Sequence, residues 1–248
     1  MSEGSSDPRA RSFGAAAEDY ERGRPGWPDR VAEIAELPAD AEVLDLAAGT
    51  GKLSRLLVRH FARVIAVEPD DALRALIRDA ETLPGTAEAI PLADASVDGV
   101  FCGEAFHWFD APRAVAEIAR ILSPGGSVVV CFNTDGGETD PPWPESARAV
   151  VAHHRPAGEV GGRHLVEAGA WRDAFAGGPF EPLRFETAPH EHVQTTEETI
   201  AQLLSISGFA LLPQAEREAM RAELRDVLPD GTWRTPLLAE IWSTRRTS

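Results

Sequence analysis

The sequence predicts an α/β fold in which strands and helices alternate around a mostly parallel sheet. Val43–Leu46 is a short apolar run typical of a buried strand, and Gly49 and Gly51 then mark a tight turn. Lys52–His60 has the apolar spacing of a helix, and a second strand-like run, Val64–Val67, follows it. Strands that alternate with helices in this way predict a parallel sheet.

The turn after the first strand predicts a site for a nucleoside-containing cofactor. Because Gly49 and Gly51 lack a Cβ, the backbone can come close to a ligand where the helix begins. Glu68 follows the second strand, where a carboxylate is placed to accept hydrogen bonds from a ribose.

Two residues indicate which cofactor is bound. The dinucleotide fingerprint has a third glycine three residues after the second, and Ser54 occupies that position here. Asp45 has no role in that fingerprint, in which a phosphate disfavours a nearby carboxylate. A carboxylate suits a cofactor with an ammonium group and no phosphate. A nicotinamide-dependent oxidoreductase is therefore the less favoured alternative.

The pattern Asp45-x-Ala-x-Gly49-x-Gly51 followed by Glu68 resembles the first two motifs of class I S-adenosylmethionine-dependent methyltransferases. The resemblance implies that Asp45 lies near the methionine ammonium group and that Glu68 binds the ribose hydroxyls. The predicted cofactor contacts of this region are Asp45, Ala47, Gly49, Gly51, Glu68 and Pro69.

Composition excludes several other classes of protein. The 248 residues carry a formal net charge of −16, which argues against a nucleic-acid substrate, since phosphate binding needs clustered Lys and Arg. No apolar run is long enough to span a bilayer, and residues 1–11 lack the apolar core of a signal peptide, so we expect a cytoplasmic protein. Two cysteines make no disulfide framework.

The N-terminal region predicts two short helices before the first strand. The first is broken at Gly23 and Pro25, and the second runs from about 28 to 37. The pattern of Phe13, Tyr20 and Arg24-Pro resembles the N-terminal lid of small-molecule methyltransferases of the trans-aconitate type. This resemblance implies that Tyr20 and Arg24 reach over the methionine end of the cofactor, with Arg24 pairing its carboxylate. Alternatively, the two helices simply cover one edge of the sheet.

The third strand should be very short or irregular, because Pro84 and Gly85 interrupt it. In the family, this position usually reads Gly-Asp-Ala, and the Asp binds the adenine amino group. Here Thr86 replaces that Asp, so we expect Thr86 or Glu88 to compensate and the N–H group of Ala87 to contact the ring.

A fourth strand near 99–103 is followed by Glu104, a further predicted cofactor contact, and by His107. Ligands of open α/β sheets bind at the carboxyl ends of the strands, so His107 is the candidate general base for an acceptor hydroxyl. Alternatively, it binds water or backbone near the sulfur. We expect Asp110 to cap a helix that ends near Leu122, ahead of a turn at 123–126 and a fifth strand.

The rest of the chain predicts substrate-side insertions at 133–178 and 195–229. Arg155, Arg163 and His164 are candidates to hold an anionic acceptor, or else belong to a solvated loop. The pairs His153–His154 and His190–His192 supply too few ligands for a closed zinc site, so we predict no metal. Strands at 180–194 and 232–243 should form an antiparallel C-terminal hairpin, with helices between them.

The resemblance covers 13–132 and implies a Rossmann-like, seven-stranded, mostly parallel sheet with an N-terminal helical lid and a C-terminal helical insertion. After a disordered tail (1–11), we expect one domain at 12–248, with the lid at 12–38 and the cofactor-binding core at 40–132. The expected function is methyl transfer from S-adenosylmethionine to a small-molecule acceptor, most often through oxygen, by a monomer or homodimer. A cofactor-binding protein without transferase activity is the other alternative.

Overall fold

The computed structural model describes residues 17–134, 143–155 and 169–247. These residues form a seven-stranded sheet in the order β3-β2-β1-β4-β5-β7-β6. The strands are β1 (Glu42–Leu46), β2 (Arg63–Val67), β3 (Glu81–Leu83), β4 (Val97–Gly103), β5 (Leu122–Thr134), β6 (Arg184–Thr195) and β7 (Thr232–Arg245).

Strand directions confirm the predicted α/β architecture. The first five strands pair in parallel, whereas β7 runs antiparallel to both β5 and β6. The chain passes from β1 outward to β2 and β3, then returns to place β4 on the other side of β1. Such a reversal of strand order is the point at which open α/β sheets bind ligands, at the carboxyl ends of the strands.

Helices cover both faces of the sheet, as the continuous apolar runs of its central strands require. The helices are α1 (Ala17–Gly23), α2 (Arg30–Glu33), α3 (Lys52–Leu57), α4 (Asp71–Arg74), α5 (Ala111–Ile121), α6 (Glu145–His154), α7 (Ala170–Asp173), α8 (Thr196–Leu204), α9 (Ser207–Ala210) and α10 (Gln214–Val227). One face of β1 packs Leu44 against the cluster that contains α5, and the other packs Val43 against α2 and α3.

Three local features of the structure can be compared with the predictions made from the sequence. The three-residue β3 confirms the prediction of a very short third strand. The second helix is shorter than predicted, because it gives way to i→i−3 hydrogen bonds at Ala35 and Glu36, and Glu36 has φ +51°. The predicted turn at 123–126 lies within β5. Val97 of β4 pairs with Leu122 and Gly99 pairs with Ser127, so the four residues 123–126 interrupt the pairing, and Gly125 has φ +79°.

The helix α1 is held against the C-terminal helices. The carboxylate of Asp19 forms ion pairs with Arg217 and Arg221 of α10, and each Nη2 atom lies 2.6 Å from a carboxylate oxygen. Gly23 lies so close to α8 that a Cβ there would be 2.6 Å from the carbonyl carbon of Ala201 and closer still to the backbone nitrogen of Gln202. These contacts depend on residues far apart in sequence, and they place α1 above the carboxyl ends of the strands.

The helices α6, α8 and α10 enclose an apolar cluster of their own, centred on Ile200, Met220 and Leu224. Within the described ranges, no helix has the length and apolar character needed to cross a bilayer. Cys102 and Cys131 are buried free thiols on neighbouring strands.

Candidate functional site

A cavity of about 240 Å³ opens where β1 and β4 end beneath α1. Its wall combines α1 and the following loop with the turn after β1 and with residues of five other elements, α3, β4, β5, α8 and β7. The lining residues include Tyr20, Arg24, Trp27, Ala47, Ala48, Lys52, Gly103, Glu104, Asn133, Gln202 and Leu237. A Cβ on Gly103 would lie 2.8 Å from Cζ2 of Trp27, so the indole sits directly against the end of β4.

The turn after β1 has three residues in the left-handed region. Gly49 and Gly51 have φ of +58° and +82°, a conformation that glycine adopts without strain. Ala47 has φ +56°, and strained backbone of this kind clusters at functional sites. The N–H group of Gly49 donates to Oε2 of Glu68 at 2.9 Å, which ties this turn to the end of β2.

Glu68 is a buried carboxylate held by backbone donors. Its Oε1 atom accepts from the N–H group of Asp70, also at 2.9 Å, while Pro69 beside it is exposed. Burial raises the pKa of Glu68, and the two backbone hydrogen bonds oppose that shift. A carboxylate oxygen has two lone pairs, so each oxygen of Glu68 can accept a further hydrogen bond from a ligand.

Asp45 is also buried, and its environment was only partly predicted. Its Oδ2 atom accepts from the hydroxyl of Ser54 at 2.6 Å. The other oxygen, Oδ1, is buried and has no hydrogen-bond partner among the described residues. Burial raises the pKa of Asp45 to about 7, and the hydrogen bonds from Ser54 oppose that shift. A buried oxygen of this kind is suited to a donor supplied by a ligand.

Glu104 lies at the end of β4 with φ +58°, the second strained non-glycine residue in the cavity wall. Its N–H group donates to the carbonyl of Cys131 at 2.9 Å, and its Oε1 atom accepts from the N–H group of Asn133 at 2.6 Å. The side-chain oxygen of Asn133 in turn lies 2.7 Å from Nε2 of His190. The position of the Glu104 carboxylate is therefore set from β5 and β6.

Tyr20 and Arg24 lie together in the cavity wall, with the guanidinium carbon of Arg24 at 5.3 Å from the centroid of the Tyr20 ring. Their contact with the methionine end of the cofactor stays a prediction. Burial raises the pKa of Tyr20 to about 12, with Arg24 opposing and the charges of Glu104, Glu68 and Asp45 adding to the shift. Nε of Arg24 donates to the Ser205 hydroxyl at 2.9 Å, and Nη2 donates to the Ser205 carbonyl at 3.1 Å. These bonds anchor Arg24 to the segment after α8.

The predicted adenine contacts lie after β3. Thr86 pairs with Ala89 in an isolated antiparallel bridge, and Ala87 is buried. The Oε1 atom of Glu88 accepts from the N–H group of Asp110 at 3.0 Å, which connects this segment to the start of α5. None of these residues lines the cavity described above, so their contact with adenine stays a prediction.

His107 lies in a short 3₁₀ turn, Phe106–Trp108, and two residues separate this turn from the end of β4. Its ring centroid lies 4.6 Å from that of Trp108 and 5.6 Å from that of Phe132. His107 is not among the residues that line the cavity, and its role as a base stays a prediction.

The structure describes only some of the candidate metal and anion ligands. Among the described residues, no group of three or more His, Cys, Asp or Glu side chains is placed to hold a metal ion. Arg155 is exposed at the end of α6. Arg163 and His164 lie outside the described residues.

Several residues in and beside the cavity were not predicted as site residues from the sequence. Lys52 follows Gly51 directly, and that adjacency was an available signal. Ser54 was weighed only as a missing glycine, although its position in the first turn of α3 places its hydroxyl on Asp45. Gln202 and Leu237 carry no local motif, because they reach the cavity only through the folding of α8 and β7.

Comparisons with known proteins agree on one family. A family model described as a methyltransferase domain matches residues 44–130. An uncharacterized methyltransferase-like protein of Schizosaccharomyces pombe is 32% identical over 226 residues, which cover 88% of this chain and 86% of that protein. A protein assigned as a type II methyltransferase from Anaeromyxobacter dehalogenans has a similar fold, with a TM-score of 0.63 and 24% identity over 90% of this chain and 97% of its own.

Other relatives match a shorter part. An uncharacterized methyltransferase of Mycobacterium bovis is 47% identical over 127 residues, 50% of this chain and 52% of that protein. A malonyl-[acyl-carrier protein] O-methyltransferase of Methylococcus capsulatus is 38% identical over 143 residues, 52% of this chain and 51% of that enzyme. In both cases the match spans about half the relative's length.

Proposed function

Because this chain belongs to the class I S-adenosylmethionine-dependent methyltransferases, we propose that it transfers a methyl group from that cofactor to an oxygen atom of a small-molecule acceptor. The observation that carries the proposal is the buried Oδ1 atom of Asp45, which has no partner within the described ranges. An ammonium group is the donor that such a carboxylate accepts most strongly.

The residues at the strand ends fit the cofactor in chemistry. Asp45 would bind the ammonium group, and the remaining lone pairs of Glu68 would bind the ribose hydroxyls. The left-handed turn from Ala47 to Gly51 would let the backbone lie against the methionine chain. We assign the adenine ring to the segment that contains Thr86, Ala87 and Glu88, beyond β3.

The lid residues would complete the site. Tyr20 and Arg24, which line the cavity, would cover the methionine end, and Arg24 would contribute to binding of the carboxylate. S-adenosylmethionine supplies an electrophilic methyl group on a sulfonium sulfur. The protein's contribution is then to align the acceptor and to exclude water, since proximity and orientation account for much of such a reaction. We keep His107 as the candidate that accepts a proton when the acceptor is a hydroxyl.

Three observations support a small acceptor that is methylated on oxygen. The cavity of about 240 Å³ has room for a compact molecule beside Trp27 and Leu237. The Methylococcus capsulatus relative, which is named as an O-methyltransferase, aligns over half of this chain. The acidic net charge of −16 argues against a nucleic-acid acceptor.

The first test is binding. Isothermal titration calorimetry should show that S-adenosylhomocysteine binds the protein, and thermal unfolding should shift upward with it, whereas NAD should do neither. Stabilisation by NAD alone would contradict the cofactor assignment.

The second test is turnover. Incubation with S-adenosylmethionine and a panel of small hydroxyl and carboxyl compounds should give a methylated product by mass spectrometry. Binding of S-adenosylhomocysteine without methylation of any acceptor would support the proposed cofactor site and contradict the proposed transferase activity.

A further inference from the structure

Three polar side chains on one face of β6 reach the segment that follows α1. Because β7 runs antiparallel to both β5 and β6, β6 has the same direction as the first five strands and ends at the edge of the sheet where the cavity opens. Alternate residues of a strand point to the same face, so His190, His192 and Gln194 share one face of β6. These three side chains, which we call the β6 row, are buried or half-buried, whereas the two residues between them are exposed.

Two members of the β6 row converge on the carbonyl oxygen of Gly23, the last residue of α1. Nε2 of His192 lies 2.9 Å from this oxygen, and Nε2 of Gln194 donates to it at 3.2 Å. Because a carbonyl oxygen only accepts, His192 carries a proton on Nε2. Gln194 is buried, and its Oε1 atom has no partner among the described residues. A half-satisfied buried amide costs stability, so the packing of β6 alone gives no reason for a glutamine here.

The third member, His190, reaches the same segment through Asn133. Nε2 of His190 lies 2.7 Å from Oδ1 of Asn133, and Nδ2 of Asn133 donates to the carbonyl of Gly26 at 3.3 Å. The two contacts agree on the orientation of the amide, since the carbonyl of Gly26 only accepts and the amide oxygen needs a donor from His190. Asn133 is therefore held between β6 and the lid.

These contacts hold both ends of a segment that lines the cavity. Arg24 and Pro25 lie between the two bonded carbonyls, Trp27 follows them, and all three residues line the cavity. None of the β6 row is among the lining residues, so the row acts on the site through this segment. Hydrogen bonds at two points of the segment fix its orientation relative to the sheet.

We propose that His190, His192 and Gln194 are positioning residues, which hold the lid segment 23–27 over the ligands by its carbonyl groups at Gly23 and Gly26. The inference rests on the proposed function, in which this segment covers the methionine end of the cofactor. A lid held at two points spends less time in open conformations. The apparent affinity for a ligand falls with the fraction of the protein that is competent to bind it, so loss of the row weakens cofactor binding without removing a cofactor contact.

The only tyrosine of the chain reports on the lid. Tyr20 lies in α1 and lines the cavity. Protein made with meta-fluorotyrosine therefore gives one ¹⁹F signal by NMR, which reports the surroundings of this ring. The double variant His192→Leu/Gln194→Leu loses both side-chain donors to Gly23, so we expect its signal to broaden or to move toward that of the unfolded protein. Val193→Ala is the matched control, because Val193 is exposed on the opposite face of β6, and its signal should match the wild type.

Calorimetry measures the consequence for the cofactor. His192→Leu should weaken binding of S-adenosylhomocysteine roughly threefold to tenfold, the range for one hydrogen bond, and the double variant should weaken it further. His192→Gln keeps an N–H donor and should retain most of the affinity. His190→Leu should act in the same direction with a smaller effect, because His190 reaches the lid through Asn133. Val193→Ala should bind as the wild type does.

Denaturant titration separates positioning from stability alone. A residue that only stabilises the fold would lower the free energy of unfolding and leave the affinity unchanged at a temperature where every variant is folded. Wild-type affinity in the double variant or in His190→Leu, or a wild-type ¹⁹F signal in the double variant, would overturn the positioning role.

The two proposals fail in different ways. If calorimetry detects no binding of S-adenosylhomocysteine to the wild-type protein, the proposed function fails, and the ¹⁹F comparison of the unliganded proteins still tests the β6 row. If S-adenosylhomocysteine binds the wild type and the double variant equally, the β6 row alone is wrong.

Discussion

The turn after β1 and the helix that covers it are held by contacts of very different range. Within the turn, Ser54 donates to Asp45 across nine positions, and Gly49 donates to Glu68 across 19. The covering helix depends on partners much farther along the chain. Arg24 donates to Ser205 across 181 positions, and Asp19 accepts from α10 across about 200.

The two halves of the site are therefore stabilised by different sets of contacts. Among the described residues, the buried carboxylates of Asp45 and Glu68 accept hydrogen bonds only from donors nearby in sequence, the Ser54 hydroxyl for Asp45 and two backbone N–H groups for Glu68, and no residue of the C-terminal helices is among these donors. The lid residues reach the cavity only when α8 and α10 are folded. Elements held by a few long-range polar contacts open more readily than core strands. Substitutions in the two regions should therefore affect cofactor binding and folding differently.

The largest effect is expected at Asp45. Asp45→Asn keeps the shape of the side chain but removes the negative charge that the ammonium group would meet. We expect affinity for S-adenosylhomocysteine to fall roughly tenfold to a hundredfold by calorimetry. Thermal stability of the unliganded protein should be retained or increased, because a buried carboxylate with an unpaired oxygen disfavours the fold.

Ser54→Ala is the companion variant, because it removes the hydroxyl partner and keeps the charge. An Asp45→Asn protein with wild-type affinity would show that Asp45 does not contact the cofactor.

The second prediction concerns the lid. In Gly23→Ala, the new Cβ would overlap the backbone of α8, which cannot give way as a side chain can. We expect a loss of about 1–3 kcal/mol in the free energy of unfolding, measured by denaturant titration. Affinity for S-adenosylhomocysteine should also fall, because Arg24 follows directly. Gly26→Ala is the control, since a Cβ there would meet nothing within 4 Å. Equal stability of the two variants would contradict close packing of the lid.

The third prediction is a pH dependence of binding, which should come from Asp45 and not from the lid. Burial raises the pKa of Asp45 from 3.8 to about 7, so the unliganded protein holds this carboxyl group protonated below that pH. Since an ammonium ligand needs the carboxylate, affinity for S-adenosylhomocysteine should fall roughly tenfold for each pH unit below about 7. Calorimetry in buffers of different ionisation enthalpy should detect proton release on binding.

The same shift has a consequence for folding. A carboxyl group whose pKa is higher in the folded than in the unfolded state binds more protons when folded, so its contribution to stability is lost as pH rises from about 4 to 7. Asp45→Asn should show neither the loss of stability nor the pH-dependent affinity. A variant that keeps both would assign the titration to another group, such as Glu68.

The sequence by itself determined the order of elements and the chemistry of the strand ends. Asp45, Gly49 and Glu68 are recognisable because each lies within a few residues of a strand whose apolar pattern marks it. The sheet then brings their carboxyl ends to one edge, as parallel pairing requires. Even the shortness of β3 was predictable, because proline and glycine interrupt a strand locally.

Tertiary structure alone decided what closes the site. Gln202 and Leu237 carry no motif, and they line the cavity although each lies more than 180 residues after Tyr20 in sequence. The partners of Ser54 and Arg24 likewise depend on which side of a helix faces the sheet or the lid. Local patterns reveal local geometry, whereas the position of a lid depends on packing between distant segments, which no short stretch of sequence contains.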